Sequence, residues 1–460
     1  MNAPIAASTT ATATATGAPD IVIRDAYVMT MDAAIGDLPR GDVHVRGEAI
    51  VAVEPRIDAA AWPSGARIID GSGMILMPGL IDAHTHLWSS QMRGHFACTP
   101  ERTYFRTRNR LADGYTAQDM YAGTRLGAAE ALHSGITTVI DFCHNNRNRD
   151  FAEQSIRALT ETGIRACFQY GASTISQPTD AIDLDHLAWL AGNWRAVVGD
   201  APVSLGLGWR GPLGIVTITE RQPRPDWSVA RRELEVARAH GLPVAIHVSG
   251  ITAQRQFAAL LDAGVLGPDI QLIHMTAPSP PQLAAIAESG AAVALTPLTE
   301  LRVGYGVTRL GDFLEAGVRL GLGIDSNSLA GSANLFAVMK LFQLIEAGCK
   351  QDELAIDARR LIALATIEGA RSLGLDGLIG SITPGKKADL ILLDAGAWNM
   401  GLFADDPAHL IVEAAGPANV DTVIVNGRVL KAGGRLTGLD RAEVMAAARA
   451  SIAAILERVS

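Results

Sequence analysis

The sequence predicts an α/β fold: a (β/α)8 barrel of the TIM type with a small β-sandwich domain built from both chain ends. Three observations predict it. The length of 460 residues accommodates one large domain and a smaller one. Through the middle of the chain, continuous apolar runs of strand type alternate with amphipathic helical segments. Short strand-like runs separated by Gly and Pro turns occur near both ends.

The middle of the chain contains enough strand and helix units for a closed parallel barrel. The eight predicted strands are 74–86, 136–142, 165–171, 203–208, 243–248, 270–276, 291–297 and 319–325. The predicted helices between them are 151–162, 181–198, 228–240, 252–263, 279–288, 311–316 and 333–347. An open doubly wound sheet is the alternative, but it would need a Gly-rich phosphate fingerprint after its first strand, and none is there.

The remaining segments complete the predicted domain organisation. We expect a disordered Ala/Thr-rich leader at 1–19, which lacks the positive charge and apolar block of a secretory signal. Residues 20–73 and 380–436 are predicted to form the composite β-domain, and 74–379 the barrel. The Ala-rich end, 437–460, is predicted to be a helix.

Composition excludes several classes of protein. A net charge of −9 argues against broad binding to nucleic acid, whose protein partners carry a basic face. No apolar stretch reaches the roughly 18 residues that a membrane-spanning helix needs. The four cysteines are dispersed without C-x-x-C spacing, so neither a disulfide framework nor a zinc knuckle is predicted. A reducing cytoplasm fits this usage best.

Histidines gather where the predicted strands end. His84 and His86 close the first apolar run, and side chains two apart on a strand share a face, so both imidazoles can reach one metal ion. Two histidines on a surface strand that binds no metal would give the same sequence pattern. However, His247, His274 and Asp325 also end predicted strands, and barrel enzymes place their chemistry at the carboxyl ends of strands. The sequence therefore predicts a metal site at one mouth of the barrel.

Several motifs follow one another in a characteristic order between residues 21 and 436. They are PGLIDAHTH at 78–86, GITTV at 135–139, the histidine-bearing strands, GIDSN at 323–327 and GSITPGKKADL at 380–390. In this order they resemble the amidohydrolase superfamily, and within it the mononuclear-metal branch that contains cytosine deaminase, guanine deaminase and the triazine hydrolases.

The resemblance implies a site and a chemistry. His84, His86, His247 and Asp325 would bind one divalent metal ion, with zinc the best match and Fe2+ or Mn2+ as alternatives. The metal would activate water, Asp325 would take its proton, and His274 would polarise the group under attack. Binuclear relatives bridge two metals with a carboxylated lysine on a mid-barrel strand, but the first lysine here is Lys340. The partners expected are a small-molecule substrate and, as is common in this branch, further copies of the chain in a homo-oligomer.

One departure from the deaminase pattern concerns proton transfer. In that branch the histidine of the fifth strand is usually followed three positions later by a glutamate, whereas this chain has Gly250. Glu300, after the seventh strand, is a candidate replacement and is counted with Asp325 and His274 as catalytic. The alternative is that Glu300 is merely solvated.

Candidate substrate contacts lie in the loops after the predicted strands. Trp209 and Arg210 follow the fourth strand, where the deaminase pattern tends to have a histidine, and would stack on a flat substrate and bind an oxygen. Alternatively, Trp209 packs under a loop and Arg210 pairs with a surface acid. The full set of candidate contacts is Trp88, Gln91, His144, Trp209, Arg210, His274 and Asn327.

Because Gly250 cannot transfer a proton, the sequence favours hydrolysis of a C–N bond in an amide, urea, carbamate or cyclic amide of a small planar or cyclic molecule. The alternative is an aminohydrolase of an amino-heterocycle such as a pyrimidine, purine or triazine. A third hypothesis, a non-catalytic scaffold with the same fold, is disfavoured because all four ligands and His274 are present.

Overall fold

The computed structural model describes residues 19–176, 179–213, 225–401, 403 and 405–460. The predicted leader lies outside the described residues except for its last position. The described chain forms an eight-stranded parallel sheet, nearly closed into a barrel, and a nine-stranded mixed sheet. The predicted α/β architecture is confirmed. The predicted domain boundaries stay a prediction.

The N-terminal strands belong to the mixed sheet. They are β1 (Ile21–Val28), β2 (Leu38–Arg46), β3 (Ala49–Glu54), β4 (Arg67–Asp70) and β5 (Met74–Pro78). Strand β1 pairs antiparallel with β2 and parallel with both β4 and β5.

The barrel strands follow in chain order, each hydrogen-bonded to the next. They are β6 (Leu80–Thr85), β7 (Ile136–Asn146), β8 (Arg165–Ala172), β9 (Val203–Trp209), β10 (Val244–Val248), β11 (Ile270–His274), β12 (Ala292–Leu295) and β13 (Arg319–Leu322). Beyond β13, Asp325 N donates to His84 O at 2.8 Å and His86 N donates to Asp325 O at 2.6 Å. The seam of the barrel is therefore held by residues of the predicted metal site.

The apolar run at 74–86 forms two strands and not the single strand predicted. β5 ends at Pro78 in the mixed sheet, and β6 begins at Leu80 in the barrel. Between them, Gly79 lies so close to β7 that an added Cβ would stand 2.1 Å from Thr137 Oγ1. A residue with a side chain could not make this crossing without displacing Thr137.

The last strands complete the mixed sheet. They are β14 (Leu390–Asp394), β15 (Val420–Val425), β16 (Arg428–Ala432) and β17 (Arg435–Leu436). Antiparallel pairing of β14 with β5 joins the two chain ends in one continuous sheet, and Ile23, Leu76 and Leu392 contribute to its own apolar cluster. Arg165 Nε and Nη2 donate to the Asp389 carboxylate at 2.6 and 2.9 Å, a buried ion pair between barrel and sheet.

The described residues form fifteen α-helices. They are α1 (Tyr104–Asp113), α2 (Ala117–His133), α3 (Arg149–Thr162), α4 (Leu184–Val198), α5 (Trp227–Ala239), α6 (Ala253–Asp262), α7 (Pro280–Ser289), α8 (Pro297–Arg302), α9 (Leu310–Glu315), α10 (Asn327–Ala330), α11 (Leu335–Lys350), α12 (Ala358–Leu364), α13 (Ile367–Ser372), α14 (Ala408–Ala414) and α15 (Arg441–Arg458). The predicted helices correspond to α3–α7, α9, α11 and α15. In the described part of the chain, no helix combines the length and apolar character needed to cross a membrane.

Candidate metal and active site

The four predicted metal ligands meet at the carboxyl end of the barrel strands. One potential ligand atom from each of His84, His86, His247 and Asp325 lies within 4.8 Å of the others. Asp325 Oδ1 is 3.1 Å from His86 Nε2 and 3.4 Å from His84 Nε2. Three imidazoles and one carboxylate thus form a compact group that can hold a metal ion.

The hydrogen bonds of the histidines leave ring nitrogens free for a metal. His86 Nδ1 donates to Phe142 O at 2.7 Å, which fixes the ring tautomer and turns Nε2 toward Asp325. Neither ring nitrogen of His84 makes a hydrogen bond within the described structure, although the side chain is completely buried. Buried polar atoms are rarely left in this state unless a ligand or ion completes them, so the residues fit a bound cation.

The protonation states suit a cation as well. Burial lowers the pKa of His84 to about 3 and that of His247 well below its usual value. Burial would raise the pKa of Asp325, but the adjacent imidazoles of His84, His86 and His274 together outweigh burial and hold that pKa well below the ordinary range. Neutral imidazoles with an ionised carboxylate are the donor set that divalent metals require.

Asp82 supports the site from below, and the sequence analysis missed it. Its Oδ1 accepts from Ile324 N at 2.9 Å and from His84 N at 3.3 Å, so one buried carboxylate joins both ligand-bearing segments. Burial raises the pKa of Asp82 well above its usual value. An acid inside an otherwise apolar run was the signal that could have identified it.

His274, at the end of β11, stands beside the metal ligands and is braced by Glu300. Its ring centroid is 5.5 Å from that of His247, and its Nδ1 lies 3.3 Å from Glu300 Oε1 and 3.0 Å from Thr296 Oγ1. Since a carboxylate can only accept, Nδ1 carries the proton and Nε2 is the nitrogen left for a substrate. Burial lowers the pKa of His274, but the hydrogen bond to Glu300 and the negative charges of Asp325 and Glu300 together outweigh burial and raise that pKa.

Glu300, on α8, is itself fully engaged. It is buried, its Oε1 also accepts from Thr296 N at 2.8 Å, and its Oε2 accepts from Thr308 Oγ1 at 2.5 Å. The alternative that this acid is merely solvated does not fit these contacts. Its catalytic role stays a prediction.

Backbone strain is concentrated at two of these residues. His274 has a φ of +72° and Asp325 a φ of +67°, in the left-handed region that non-glycine residues seldom occupy. Such conformations cost roughly 1–3 kcal/mol and persist where surrounding structure imposes them, often at functional sites.

The ring of His144 lies beside that of His86. The two rings stack with centroids 4.0 Å apart, and Trp88 Nε1 donates to His144 Nδ1 at 3.0 Å. Trp88 is completely buried, so it contacts the site through His144. The sequence analysis missed Arg108 on α1, whose Nη1 lies 3.3 Å from His144 Nε2, and Tyr305, whose ring is edge-on to that of His274.

Two predicted substrate contacts make hydrogen bonds to α2. Gln91 Nε2 donates to Asp119 O at 3.0 Å, and Asn327 Nδ2 donates to Glu130 Oε2 at 2.8 Å. Both side chains are buried. Their contact with a substrate stays a prediction.

The pair after the fourth barrel strand packs against helix and loop. Trp209 is completely buried and its Nε1 donates to Ala230 O of α5 at 3.1 Å. Arg210 is buried as well, and its Nη1 donates to Ser176 Oγ at 3.1 Å. The contacts of Trp209 are those expected if it packs under a loop. The role of Trp209 and Arg210 in binding a substrate stays a prediction.

Comparisons with known proteins agree with this architecture. The model of the Amidohydrolase family matches residues 75–430. A 5-methylthioadenosine/S-adenosylhomocysteine deaminase of Symbiobacterium thermophilum is 31% identical over 453 residues, covering 95% of this chain and 99% of that protein. A 5'-deoxyadenosine deaminase of Methanosarcina mazei is 26% identical over 453 residues, covering 96% and 99%.

Solved structures share the fold along almost the whole chain. An adenosine deaminase of Xanthomonas campestris with bound zinc has a TM-score of 0.82 at 24% identity, covering 95% of this chain and 99% of its own. The atrazine chlorohydrolase of Arthrobacter aurescens TC1, complexed with zinc, has a TM-score of 0.80 at 24% identity, covering 94% and 100%.

Proposed function

Because the chain belongs to the amidohydrolase family, we propose that it is a metal-dependent aminohydrolase that releases ammonia from a small nitrogen heterocycle. The observation that carries the proposal is the group of three imidazoles and one carboxylate at the barrel mouth. The two relatives that deaminate adenine nucleosides support this choice of reaction. They favour the aminohydrolase over the amide-type hydrolysis that Gly250 led us to expect.

One divalent cation would be held by His84, His86, His247 and Asp325. The mixture of imidazole and carboxylate suits zinc, and it also admits Fe2+ or Mn2+. Zinc in two structures of the same fold supports the first choice. When bound, the cation supplies a Lewis acid that lowers the pKa of a water molecule toward neutrality.

Asp325 and His274 would divide the proton chemistry. Asp325 is ionised and lies at the centre of the ligand group, so its carboxylate can accept a proton from the attacking water. His274 carries a proton on Nδ1 and presents Nε2 toward the same region, where it can bind the ring or the departing group. Their burial excludes bulk water, which strengthens both interactions.

Glu300 would act through His274 and not on the substrate directly. Both of its oxygens already accept hydrogen bonds, from His274 and Thr296 at one and from Thr308 at the other. A carboxylate in this position orients the imidazole and favours its protonated form. Glu300 is therefore a positioning residue in this proposal, and it does not replace the glutamate absent at Gly250.

A second candidate function follows from Gly250. With no acid at that position, hydrolysis of an amide, urea, carbamate or cyclic amide would need less assistance at a ring nitrogen. The same four ligands, Asp325 and His274 would serve that reaction. The two candidates differ in the product, because only the aminohydrolase must release ammonia from an exocyclic amine.

The deciding experiment combines metal analysis with a substrate panel. Purified protein loaded with zinc would be assayed on aminopurines, aminopyrimidines and aminotriazines, and separately on amides, ureas and carbamates, with ammonia measured directly. Ammonia from an amino-heterocycle is the expected result. Turnover confined to the second group would overturn the proposal in favour of the second candidate. No turnover by the metal-loaded protein would favour the scaffold.

A further inference from the structure

Arg108 is a buried cation without a carboxylate partner among the described residues. It lies on α1, is 5% exposed, and is flanked by the rings of Tyr104 and Phe105 with centroids 5.6 and 5.4 Å from its Cζ. Its Nε and Nη2 donate to Asn109 Oδ1 at 3.1 and 2.8 Å. A neutral amide oxygen does not compensate the charge of a buried guanidinium, so the side chain is poised for an anion.

The third guanidinium nitrogen faces another donor. Arg108 Nη1 stands 3.3 Å from His144 Nε2. Trp88 Nε1 and Arg108 Nη1 can each only donate, whereas a neutral imidazole has a single lone-pair nitrogen. The shorter of the two contacts, from Trp88 Nε1 to His144 Nδ1 at 3.0 Å, takes that lone pair and leaves the ring proton on Nε2. Two N–H groups therefore converge, and neither supplies the acceptor that the other needs.

The converging donors lie next to the metal ligands. The His144 ring stacks on that of His86 at 4.0 Å, and its centroid is 6.3 Å from that of His247. An acceptor bridging Arg108 and His144 would thus belong to a molecule that also occupies the mouth of the barrel. A water molecule could bridge them, but it would leave the buried positive charge uncompensated.

We propose that Arg108 and His144 together bind a negatively charged oxygen of the substrate, either a ring carboxylate or a deprotonated ring oxo group. This inference rests on the proposed function and narrows its substrate class to anionic heterocycles. It also separates the chain from the Methanosarcina mazei relative, which is named for the neutral nucleoside 5'-deoxyadenosine. The planar guanidinium is suited to this recognition because it offers fixed, charge-assisted donors.

The test measures binding of unreactive probes, so it does not depend on turnover. Isothermal titration of the zinc-loaded protein would compare two matched pairs: orotate with its neutral methyl ester, and anionic barbiturate with neutral uracil. We expect at least one anion to bind about tenfold or more tightly than its neutral partner. Preference for orotate would identify a carboxylate, and preference for barbiturate a ring oxygen. No preference in either pair would overturn the proposal.

Substitutions of Arg108 test whether this side chain causes the preference for anionic probes. Arg108→Met is expected to abolish it while neutral probes still bind, and Arg106→Met, an exposed arginine of the same helix, is the matched control. Arg108→Lys keeps the charge but loses the planar fork, so it should retain an intermediate preference even if the Met variant folds poorly. A full preference in Arg108→Met or Arg108→Lys would mean that the anion binds elsewhere, for example to the metal, and would refute the assignment.

Discussion

The Tyr305 ring occupies the space into which a side chain at Gly250 would project. A Cβ built on Gly250 would lie 3.2 Å from Tyr305 Cε1, and Gly250 has a φ of +63°. The same ring is edge-on to that of His274, with centroids 5.8 Å apart. In the deaminase branch that the sequence resembles, this position usually carries a glutamate. Here the position is a glycine, and the ring of Tyr305 lies between it and His274.

Gly250→Ala is expected to lower the free energy of unfolding by about 1–3 kcal/mol, because a left-handed backbone is strained for alanine and the new methyl group meets Tyr305. In a protein that already carries Tyr305→Ala, Gly250→Ala should cost less, because the contact with the ring is gone and only the backbone strain remains. Urea unfolding of the single and double variants measures both parts. Gly348→Ala, at a helical glycine with open space around it, is the control and should not destabilise. A Gly250→Ala protein with the same free energy of unfolding as the wild type would contradict this interpretation.

Removing a metal ligand should abolish both metal content and turnover. His247→Ala deletes one of three imidazoles, and Asp325→Asn deletes the only carboxylate of the group. We expect zinc to raise the thermal stability of the wild type, and we expect each variant to lose both the bound zinc, measured by elemental analysis, and this rise in stability. His409→Ala, whose side chain is 74% exposed, is the control. Full turnover by Asp325→Asn would refute its role as the base.

The sequence predicted the barrel and the metal ligands because both leave local signals. Each apolar run marks a strand buried on both faces, and the carboxyl ends of parallel strands must converge. Strand-end positions therefore placed His84, His86, His247, His274 and Asp325 at one mouth of the barrel. The resemblance to the amidohydrolase superfamily then implied which four of them bind the metal. The division at Gly79 was missed although Pro78-Gly79 is a turn-type dipeptide, because the residues on both sides of it are equally apolar and read as one strand.

One helix after the first barrel strand was missed for a physical reason. Helix α2 is rich in Ala and Gly, and it lies so close to the segment after β6 that a Cβ on Gly123 would stand 2.1 Å from Trp88 O. Small residues allow this close approach, but they give the helix only a weak apolar stripe, so the sequence pattern did not indicate a helix. The contact between Arg108 and His144 was also hidden, because it joins residues 36 positions apart through tertiary structure.

Glu300→Gln should lower kcat by about tenfold or more while leaving the zinc content unchanged. Glutamine keeps the size of the side chain but loses the charge that orients and protonates His274, and a hydrogen bond to a charged group is worth about 1.5–3 kcal/mol. Steady-state kinetics with elemental analysis measures both effects. Glu288→Gln, at an exposed position, is the control. An unchanged kcat would remove Glu300 from the mechanism.

Asp141→Asn should change how stability depends on pH. Asp141 is buried in β7, where burial raises its pKa to about 7 from an ordinary 3.8; its Oδ1 accepts from Leu87 N at 3.0 Å. A folded-state pKa above the unfolded value means that the folded protein binds the proton more tightly. The stability from this group is therefore complete below pH 4 and is lost as the pH rises toward 7.

Asparagine does not titrate, so its variant should escape this loss. The free energy of unfolding of Asp141→Asn minus that of the wild type should increase between pH 4 and 7, by at most about 4 kcal/mol. Urea unfolding of both proteins across this pH range gives the difference directly, because the other titrating groups cancel. Asp150→Asn, at an exposed position at the start of α3, should follow the wild type throughout. If the Asp141→Asn difference is independent of pH, the buried carboxyl is ionised in the folded protein, and the environment beneath the metal ligands is more polar than its packing indicates.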